Sequence, residues 1–364
     1  MPMTPTCLEV STAGGRRYPV EIGDGLIARL GTVLDSHGVG RRRIVVSTPA
    51  IWRLVAADLE PVAGPHGPVL IPDGERFKHL ATVGRIYEAL VRLGADRGST
   101  IVAVGGGVVG DVAGFAAATF LRGLDLVQVP TTLLAQVDAA IGGKVGVNHP
   151  AGKNLIGAFH PPRAVVIDPE VLATLPRREF RSGLYEVVKY GVIASRELFD
   201  TVRRHLRAVF AREPSVLQPL IAACCGIKAR IVSQDEHERG PRRVLNFGHT
   251  AGHALEAITR YRRFRHGEAV AYGMLAAAAI ARARGQLAEA AADELAALLT
   301  ELGPRPPVAD LSARDALDAM RHDKKIVDGQ LHLVLPVEIG RTAIVTDVTP
   351  AEMEQALRAV GLGP

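Results

Sequence analysis

The chain has 364 residues, 48% hydrophobic and 22% charged, so its length suits two domains and its composition excludes a disordered protein. Its three cysteines, Cys7, Cys224 and Cys225, form no CxxC pair, which argues against a disulfide framework or a cysteine zinc cluster and favours a reducing compartment. The net charge is +5 but only 4% of residues are aromatic, so an anionic small molecule explains the basic character at least as well as nucleic acid.

The first half of the chain alternates short apolar runs with helical patterns. Apolar and β-branched runs that stop near Gly or Pro predict strands at 42–48, 69–71, 100–104, 126–129 and 164–167. The apolar spacing within 81–93 predicts a helix that ends before Gly94. Strands that alternate with helices predict a mostly parallel sheet covered by helices.

The second half changes composition near Thr174, after which Ala, Leu, Arg and Glu dominate with helical periodicity, as in 288–302. The apolar stretch 269–283 is too short to cross a bilayer, so we interpret it as a buried helix. A late segment, 331–335 with 342–345, predicts a small hairpin. We expect an α/β domain over residues 1–174 and a helical domain over residues 175–364, in a cytoplasmic protein that binds no membrane.

A glycine-rich turn follows the strand predicted at 100–104. The run from Gly105 to Gly110 satisfies G-x-G-x-x-G between a strand and a helix, where the backbone approaches a diphosphate and the helix N-terminus supplies N–H donors. An acid about 20 residues further on usually binds the ribose hydroxyls. Asp125 has that spacing but precedes the next strand, at the wrong edge of the sheet. A tight turn without a ligand therefore stays an alternative.

Loops on either side of this turn carry groups suited to ribose and phosphate. The run from Asp73 to Lys78 follows a predicted strand end, where open α/β sheets bind ligands, although this segment taken alone favours a solvated turn that opens a helix. Gly142-Gly143-Lys144 and Gly152-Lys153-Asn154 predict two Gly-Lys loops, each with an ammonium beside a pliable backbone. Because neither loop has the GxxxxGK[ST] spacing, these loops predict an anion site but not a P-loop NTPase.

Three segments of the helical half suggest a metal site. Glu186 and Lys189 are spaced to share one helix face, as are His249 and His253, and His266 lies in a third segment. One Glu and two His form a familiar catalytic zinc set, so Glu186 with His249 and either His253 or His266 would suffice. Thr250 replaces the Glu of HExxH, so metalloprotease chemistry is not supported. Separate core or surface roles for these residues stay open at this point.

Seven runs in order resemble the 3-dehydroquinate synthases, a family of sugar-phosphate cyclases, over roughly Asp73 to Pro336. These runs are GGGVVGDVAGFAAATFLRG, QVPTTLLAQVDAAIGGKVGVN, AGKNLIGAFHPP, YEVVKYGVI, LNFGHTAGHALE, RHGEAVAYGM and HDKK. The resemblance implies a Rossmann-like NAD-binding α/β domain, a helical domain that binds one Zn²⁺ or Co²⁺, and a homodimer. It also implies a phosphate-eliminating lyase of the shikimate pathway of aromatic amino acid biosynthesis, with 3-deoxy-D-arabino-heptulosonate 7-phosphate as substrate.

The resemblance also implies roles for individual residues. The metal ligands would be Glu186, His249 and His266, and His253 would contact the substrate and relay protons. The cofactor-binding set would be Asp73, Glu75, Lys78, Gly105, Gly106, Gly107, Asp111, Thr131, Thr132, Lys144, Lys153 and Thr174. The substrate-binding set would be Arg122, Asp138, Lys144, Lys153, Asn154, Lys228, Arg242, Asn246, Lys324 and Lys325. The catalytic set would be Lys144, Lys189, Arg242, Asn246, His253 and Glu238.

The implied reaction is a transient oxidation by NAD, elimination of phosphate, re-reduction and an intramolecular aldol closure. The nearest alternatives are sister cyclases, the aminodehydroquinate, 2-epi-5-epi-valiolone and 2-deoxy-scyllo-inosose synthases. A glycerol-dehydrogenase-like metal alcohol dehydrogenase is more distant, because the Gly-Lys segments indicate a phosphate. A non-catalytic protein that binds NAD or nucleic acid belongs to another class, and a bound divalent metal would argue against it.

Overall fold

The computed structural model describes residues 4–12, 14–321, 326–327 and 330–364. Lys324 and Lys325, both predicted to bind substrate, lie outside these residues. The chain divides into two compact units, a sheet unit formed by residues 1–175 and 212–237 and a helical unit formed by residues 176–211 and 238–364. The sequence prediction had assigned 212–237 to the second domain, and the structure groups this segment with the first.

The strands and helices are as follows in chain order. The strands are β1 (Thr6–Ser11), β2 (Arg17–Ile22), β3 (Arg43–Ser47), β4 (Val69–Leu70), β5 (Thr100–Gly105), β6 (Asp125–Pro130), β7 (Lys144–His149), β8 (Gly152–Phe159), β9 (Ala164–Ile167), β10 (Ile326–Val327), β11 (Gln330–Leu331), β12 (Leu333–Glu338) and β13 (Arg341–Val345). The helices are α1 (Leu30–Ser36), α2 (Pro49–Ala63), α3 (Leu80–Arg92), α4 (Gly107–Thr119), α5 (Arg177–Ala194), α6 (Arg196–Arg204), α7 (Leu206–Ala211), α8 (Pro214–Gln234), α9 (His249–Ile258), α10 (His266–Ala283), α11 (Glu289–Glu301), α12 (Ala313–Arg321) and α13 (Pro350–Ala359).

The sheet unit is built on a seven-stranded sheet with the order β1-β2-β9-β6-β5-β3-β4. Every neighbouring pair is parallel except β1–β2. The prediction of a mostly parallel sheet is therefore confirmed, as are the five predicted strands. The β1–β2 hairpin at the edge was not predicted.

Both faces of the sheet are buried, which explains why its strands are continuous apolar runs. Val102 and Val104 of β5 pack in one core cluster and Ile101 and Ala103 in the other, and all four are at most 1% exposed. Successive strand residues point to opposite faces. An uninterrupted apolar run is therefore the sequence of a strand that is covered on both sides.

The prediction of two Gly-Lys loops was wrong in part, because Gly142 and Gly143 precede β7 outside any helix or strand whereas both lysines lie in strands. Lys144 begins β7, and Lys153 and Asn154 lie in β8, which pairs antiparallel with β7. Gly146 and Gly157 face each other in this hairpin. A Cβ on either glycine would lie 2.5 Å from a carbonyl oxygen of the opposite strand. Gly146 and Gly157 are therefore required for close approach of the two strands.

Helix α8 completes the sheet unit. By length and composition alone it is the one helix of the described residues that could cross a membrane, and half of its most apolar window is buried. It packs against β1, β2 and the turn that holds Asp138. Its Lys228 forms an ion pair with Asp138. These contacts are those of a core helix in a globular domain.

The helical unit is organised around α5, α9 and α10, whose backbones touch. A Cβ on Gly267 of α10 would lie 2.0 Å from the Ser182 carbonyl oxygen of α5. A Cβ on Gly273 would lie 1.8 Å from the carbonyl oxygen of Gly248, the left-handed residue that precedes α9. The buried helix predicted at 269–283 is confirmed as part of α10. The predicted hairpin is confirmed as β12–β13, which pairs 333–338 with 341–345.

Candidate active site

In the sheet unit, the glycine turn lies between β5 and α4, as the motif predicts. Helix α4 is 13 residues long, and among the described residues no side chain caps its N-terminus at Gly106. Its first N–H groups therefore remain available to an anion. A Cβ on Gly105 would lie 2.5 Å from Val109, so this glycine is required by packing. A Cβ on Gly106 would approach Thr132 at 3.1 Å.

Thr131 and Thr132 lie beside this turn, at the end of the neighbouring strand β6. The Thr131 N–H donates to the Gly105 carbonyl at 2.9 Å, and the Thr132 hydroxyl accepts from the Ala135 N–H at 3.2 Å. The structure thus brings the two threonines and the glycines together at one sheet edge. Asp125 begins β6 at the opposite end and lies 3.5 Å from Arg163, which agrees with its exclusion from the site.

A charged network joins the loop after β4 to α4 and to β8. The buried Lys78 ammonium donates to Asp111 Oδ2 and to Asn154 Oδ1, both at 2.5 Å. Burial alone would lower the pKa of Lys78, but the carboxylates of Asp111 and Glu75 outweigh it and hold that pKa above its ordinary value. Lys153 Nζ lies 3.7 Å from Glu75 Oε1. Five predicted cofactor or substrate residues therefore lie together here.

Two further predicted substrate residues, Asp138 and Lys228, contact each other. Asp138 lies in a π-helical turn, Ala135–Ala139, a conformation frequent at functional sites. Lys228, 5% exposed, donates to both the Oδ1 and the backbone carbonyl of Asp138 at 2.6 Å. Asp138 and Lys228 lie far apart in the sequence, and the packing of α8 brings their side chains together.

Other predicted residues of the sheet unit lie on its surface. Asp73, Arg122, Lys144 and Thr174 are exposed, and Arg122 has a positive φ of 69°. Within the described parts of the chain, no hydrogen bond or ion pair joins Asp73, Arg122 or Thr174 to the Lys78 network.

In the helical unit, a buried carboxylate lies close to two imidazoles, and a third imidazole lies beside those two. Glu186 on α5 is 0% exposed, and its Oε1 lies 3.7 Å from His249 Nε2 and 3.5 Å from His266 Nε2. Ligand atoms of His249, His253 and His266 all lie within 4.8 Å of one another. A buried carboxylate amid three imidazoles is a donor set that suits Zn²⁺ or Co²⁺. The residues present therefore fit a divalent metal.

Contacts on the far side of each ring orient the imidazoles. His249 Nδ1 lies 3.1 Å from the Phe247 carbonyl, which favours the tautomer that carries its proton on Nδ1 and directs the Nε2 lone pair toward the Glu186 side. His266 Nδ1 lies 3.5 Å from Glu256 Oε2. Burial alone would lower the pKa of His266, but Glu186 and Glu256 together raise it to about 9.

The remaining predicted catalytic residues lie around this cluster or on the adjacent turn. Lys189, 1% exposed, lies 2.5 Å from Glu186 Oε2 and also 4.7 Å from the Tyr190 ring centre. A 3₁₀ turn, Pro241–Asn246, carries the buried Arg242. The Asn246 amide, at the end of this turn, donates to Glu238.

The structure adds residues that were not predicted. Glu256 is 3% exposed and lies on the same face of α9 as His249 and His253, at seven and three positions from them, so helical spacing could have found it. Glu268, 0% exposed, accepts from Arg178 and from the backbone N–H of Arg265, the residue before α10. An acid three residues after a helix N-cap is placed to accept from that N–H, so this spacing could have indicated Glu268.

Comparisons with known proteins decide the family. The profile described as 3-dehydroquinate synthase N-terminal matches residues 68–182, and the C-terminal profile of the same family matches residues 183–326. The chain belongs to the 3-dehydroquinate synthase family. A 3-dehydroquinate synthase of Pelotomaculum thermopropionicum is 48% identical over 336 residues, which cover 91% of each chain.

Solved sugar-phosphate cyclases share the fold. A 2-epi-5-epi-valiolone synthase from Streptomyces hygroscopicus, solved with NAD⁺ and Zn²⁺ bound, has a TM-score of 0.87 at 30% identity and covers 97% of this chain and 99% of its own. A 2-deoxy-scyllo-inosose synthase, solved with carbaglucose-6-phosphate, NAD⁺ and Co²⁺, has a TM-score of 0.86 at 29% identity and covers 97% and 100%. The predicted family and fold class are therefore confirmed.

Proposed function

We propose that the chain converts 3-deoxy-D-arabino-heptulosonate 7-phosphate to 3-dehydroquinate and phosphate, as a carbon–oxygen lyase. The observation that carries this proposal is 48% identity across 91% of a 3-dehydroquinate synthase, against 30% for a cyclase with another product. The buried cluster of Glu186, His249 and His266 supports it, because it offers a divalent metal one carboxylate and two imidazoles.

We assign the cofactor to the sheet unit and the metal to the helical unit. When bound, NAD supplies a reversible hydride acceptor and the metal polarises the substrate oxygens at the carbon that is oxidised. The turn at Gly105 to Gly107 and Thr131 to Thr132 binds the diphosphate. Glu75 accepts from the ribose hydroxyls, and Lys78 supplies a fixed positive charge beside them.

The substrate carries a phosphate and a carboxylate, and the basic residues match this charge. Arg122, Lys144 and Asn154 bind the phosphate, together with Lys324 or Lys325. Lys153, Lys228 and Arg242 hold the rest of the molecule. Lys228 arrives oriented, because Asp138 accepts two of its hydrogen bonds. Charge-assisted hydrogen bonds of this kind orient an anion as well as bind it.

Proton movements belong to the helical unit. His253 relays a proton at its imidazole to and from the substrate hydroxyl. Asn246, oriented by its donation to Glu238, contacts the neighbouring hydroxyl. Lys189, which contacts Glu186, stabilises developing negative charge. The departing phosphate, or a nearby base, removes the carbon-bound proton whose acidity rises after oxidation.

The test is to incubate the protein with the heptulosonate phosphate, NAD and Zn²⁺ or Co²⁺ while following phosphate release. We expect release that EDTA abolishes, with no net NADH. Steady accumulation of NADH would favour a metal alcohol dehydrogenase. Turnover of sedoheptulose 7-phosphate but not of the heptulosonate phosphate would favour a 2-epi-5-epi-valiolone synthase, the second candidate that the 0.87 TM-score supports.

We further propose that the enzyme is a cytoplasmic homodimer. The absence of a cysteine framework and the family's pathway support a reducing cytoplasm. Light scattering coupled to size exclusion will measure the mass in solution, and a monomer at micromolar concentration would contradict the dimer.

A further inference from the structure

Asn148 belongs to none of the predicted residue sets, yet it joins three residues that do. It lies in β7 where the pairing register with β8 shifts, since Val147 pairs with Ile156 but His149 pairs with Gly152. Between these two pairs Asn148 alone stands opposite three residues of β8, 153–155, so the extra residues of this irregularity belong to β8. Bulges of this kind are frequent beside active sites. The Asn148 side chain contacts Glu75, in the loop that also contains Lys78.

Three hydrogen bonds hold Asn148 in this position. Its backbone N–H donates to the Lys78 carbonyl at 2.8 Å. Its Oδ1 accepts from the Asn154 N–H at 2.9 Å, and its Nδ2 donates to Glu75 Oε1 at 2.8 Å. The amide orientation follows from these partners. A flipped amide would set NH₂ against an N–H and a carbonyl against a carboxylate.

Each partner has a different task in the proposed function. Glu75 and Lys78 lie on the NAD side, and Asn154 lies on the phosphate side. Asn154 also has a left-handed backbone, with φ of 52°, and its Oδ1 accepts from Lys78. The bond from its N–H to Asn148 stabilises that conformation. Asn148 is therefore hydrogen-bonded both to Glu75, which we assign to the cofactor, and to Asn154, which we assign to the phosphate.

We propose that Asn148 is a positioning residue that sets the geometry of Glu75 and Asn154 together, so that its loss weakens binding of both NAD and the sugar phosphate. This inference rests on the proposed function for the roles of Glu75, Lys78 and Asn154. Because the side chain uses its acceptor toward Asn154 and its donor toward Glu75, substitutions can separate the two effects.

The experiment compares Asn148→Ala and Asn148→Asp in the full-length, metal-loaded enzyme. Alanine removes both side-chain bonds, so the Kd for NAD and the KM for the heptulosonate phosphate should each rise about tenfold. Aspartate keeps the acceptor for Asn154 but sets a carboxylate against Glu75. Its Kd for NAD should therefore exceed that of the alanine variant, while its KM should remain below. At saturation, kcat should fall less than about threefold in either variant.

His149→Ala is the matched control, because His149 is exposed in the same hairpin and, among the residues that the structure describes, its side chain bonds within its own turn, to the Ala151 N–H. It should leave both constants unchanged. Direct titration with NAD needs no turnover, so failure of the proposed reaction in the wild-type protein would remain distinguishable. The inference is overturned if only one constant rises in Asn148→Ala, if the aspartate ordering is reversed, or if melting temperature falls with both constants unchanged.

Discussion

In the helical unit, Glu186, His249 and His266 project from three helices whose backbones touch, whereas in the sheet unit Lys78, Asp111 and Asn154 reach each other from a loop, a helix and a hairpin. Backbone contact through glycine fixes the first group, because Gly267 and Gly273 leave no room for a Cβ. Hydrogen bonds between the side chains themselves fix the second. The metal cluster should therefore respond to added volume, and the cofactor side to lost polar partners.

The largest expected effect is removal of the metal. Treatment with EDTA, or Glu186→Gln, should lower kcat on the order of 10³-fold, because the metal supplies several kcal/mol of charge stabilisation. The Kd for NAD of the metal-free protein should change less than about twofold if the sheet unit alone binds the cofactor. Added Zn²⁺ should restore activity after EDTA but not in Glu186→Gln. A large change in NAD affinity would break the proposed division between the units.

Next in size is Gly267→Ala. Its Cβ would lie 2.0 Å from the Ser182 carbonyl, which is backbone and has to move, so α10 should shift together with His266. We expect metal affinity to fall at least about 100-fold and the free energy of unfolding by about 3 kcal/mol. Gly106→Ala is the matched control, because its nearest atom is a threonine methyl at 3.1 Å. Competition with a zinc chelator measures the affinity, and equal effects of both substitutions would contradict the comparison.

Glu256 tests whether the metal cluster of the helical unit also depends on a polar contact. Because its carboxylate contacts His266 Nδ1, Glu256→Leu should weaken metal binding about 10–100-fold, as loss of a histidine's outer partner does elsewhere. Glu256→Gln keeps an acceptor oxygen and should lose only a few-fold. The visible spectrum of the Co²⁺ form should change more in the leucine variant. Identical affinities in the two variants would show that this contact does not orient the ring.

The smallest effect is expected for Glu352→Gln, a carboxylate of the helical unit outside the cluster. Hydrogen bonds from Arg284 lower the pKa of Glu352 to about 2 from an ordinary 4.5, so its stabilisation is present above pH 4.5 and lost as the pH falls toward 2. The substitution should cost less than about 1 kcal/mol at pH 7, because the pair is partly exposed, and less still at pH 4. Urea midpoints at both pH values measure this cost. Metal affinity should be unchanged in Glu352→Gln. A loss of metal affinity in this variant would show that the effect expected for Glu256 does not depend on its contact with His266.

Local sequence patterns predicted the elements in which the spacing of apolar residues within one strand or helix reflects which residues are buried. The strand at Ala164–Ile167 and the helix at Leu80–Arg92 agree with the prediction to within one residue. Glycine beside lysine predicts loops at 142–144 and 152–154, but Lys144 begins β7 and Gly152 begins β8, because pairing between the two strands determines the conformation there. The composition of 212–237 resembles that of the helical half. Its place in the sheet unit depends on distant packing against β1.

The candidate site divides in the same way. Helical spacing predicted that Glu186 and Lys189 share a face, and the same spacing would have indicated Glu256. The resemblance supplied most of the other assigned roles, which stay predictions until tested. No local signal points to Asn148, since its importance depends on a register shift and on partners far away in the sequence.

The sheet unit is formed by two separate segments of the chain, and this has a consequence for folding during synthesis. Residues 1–175 are synthesised before 212–237, so until α8 emerges the surface that α8 covers is exposed and Asp138 lacks the contact with Lys228. A gene that ended at the change in composition would produce this N-terminal fragment without α8. The two units are therefore poor candidates for exchange as modules, and an N-terminal fragment designed to fold alone has to carry α8 on a grafted linker.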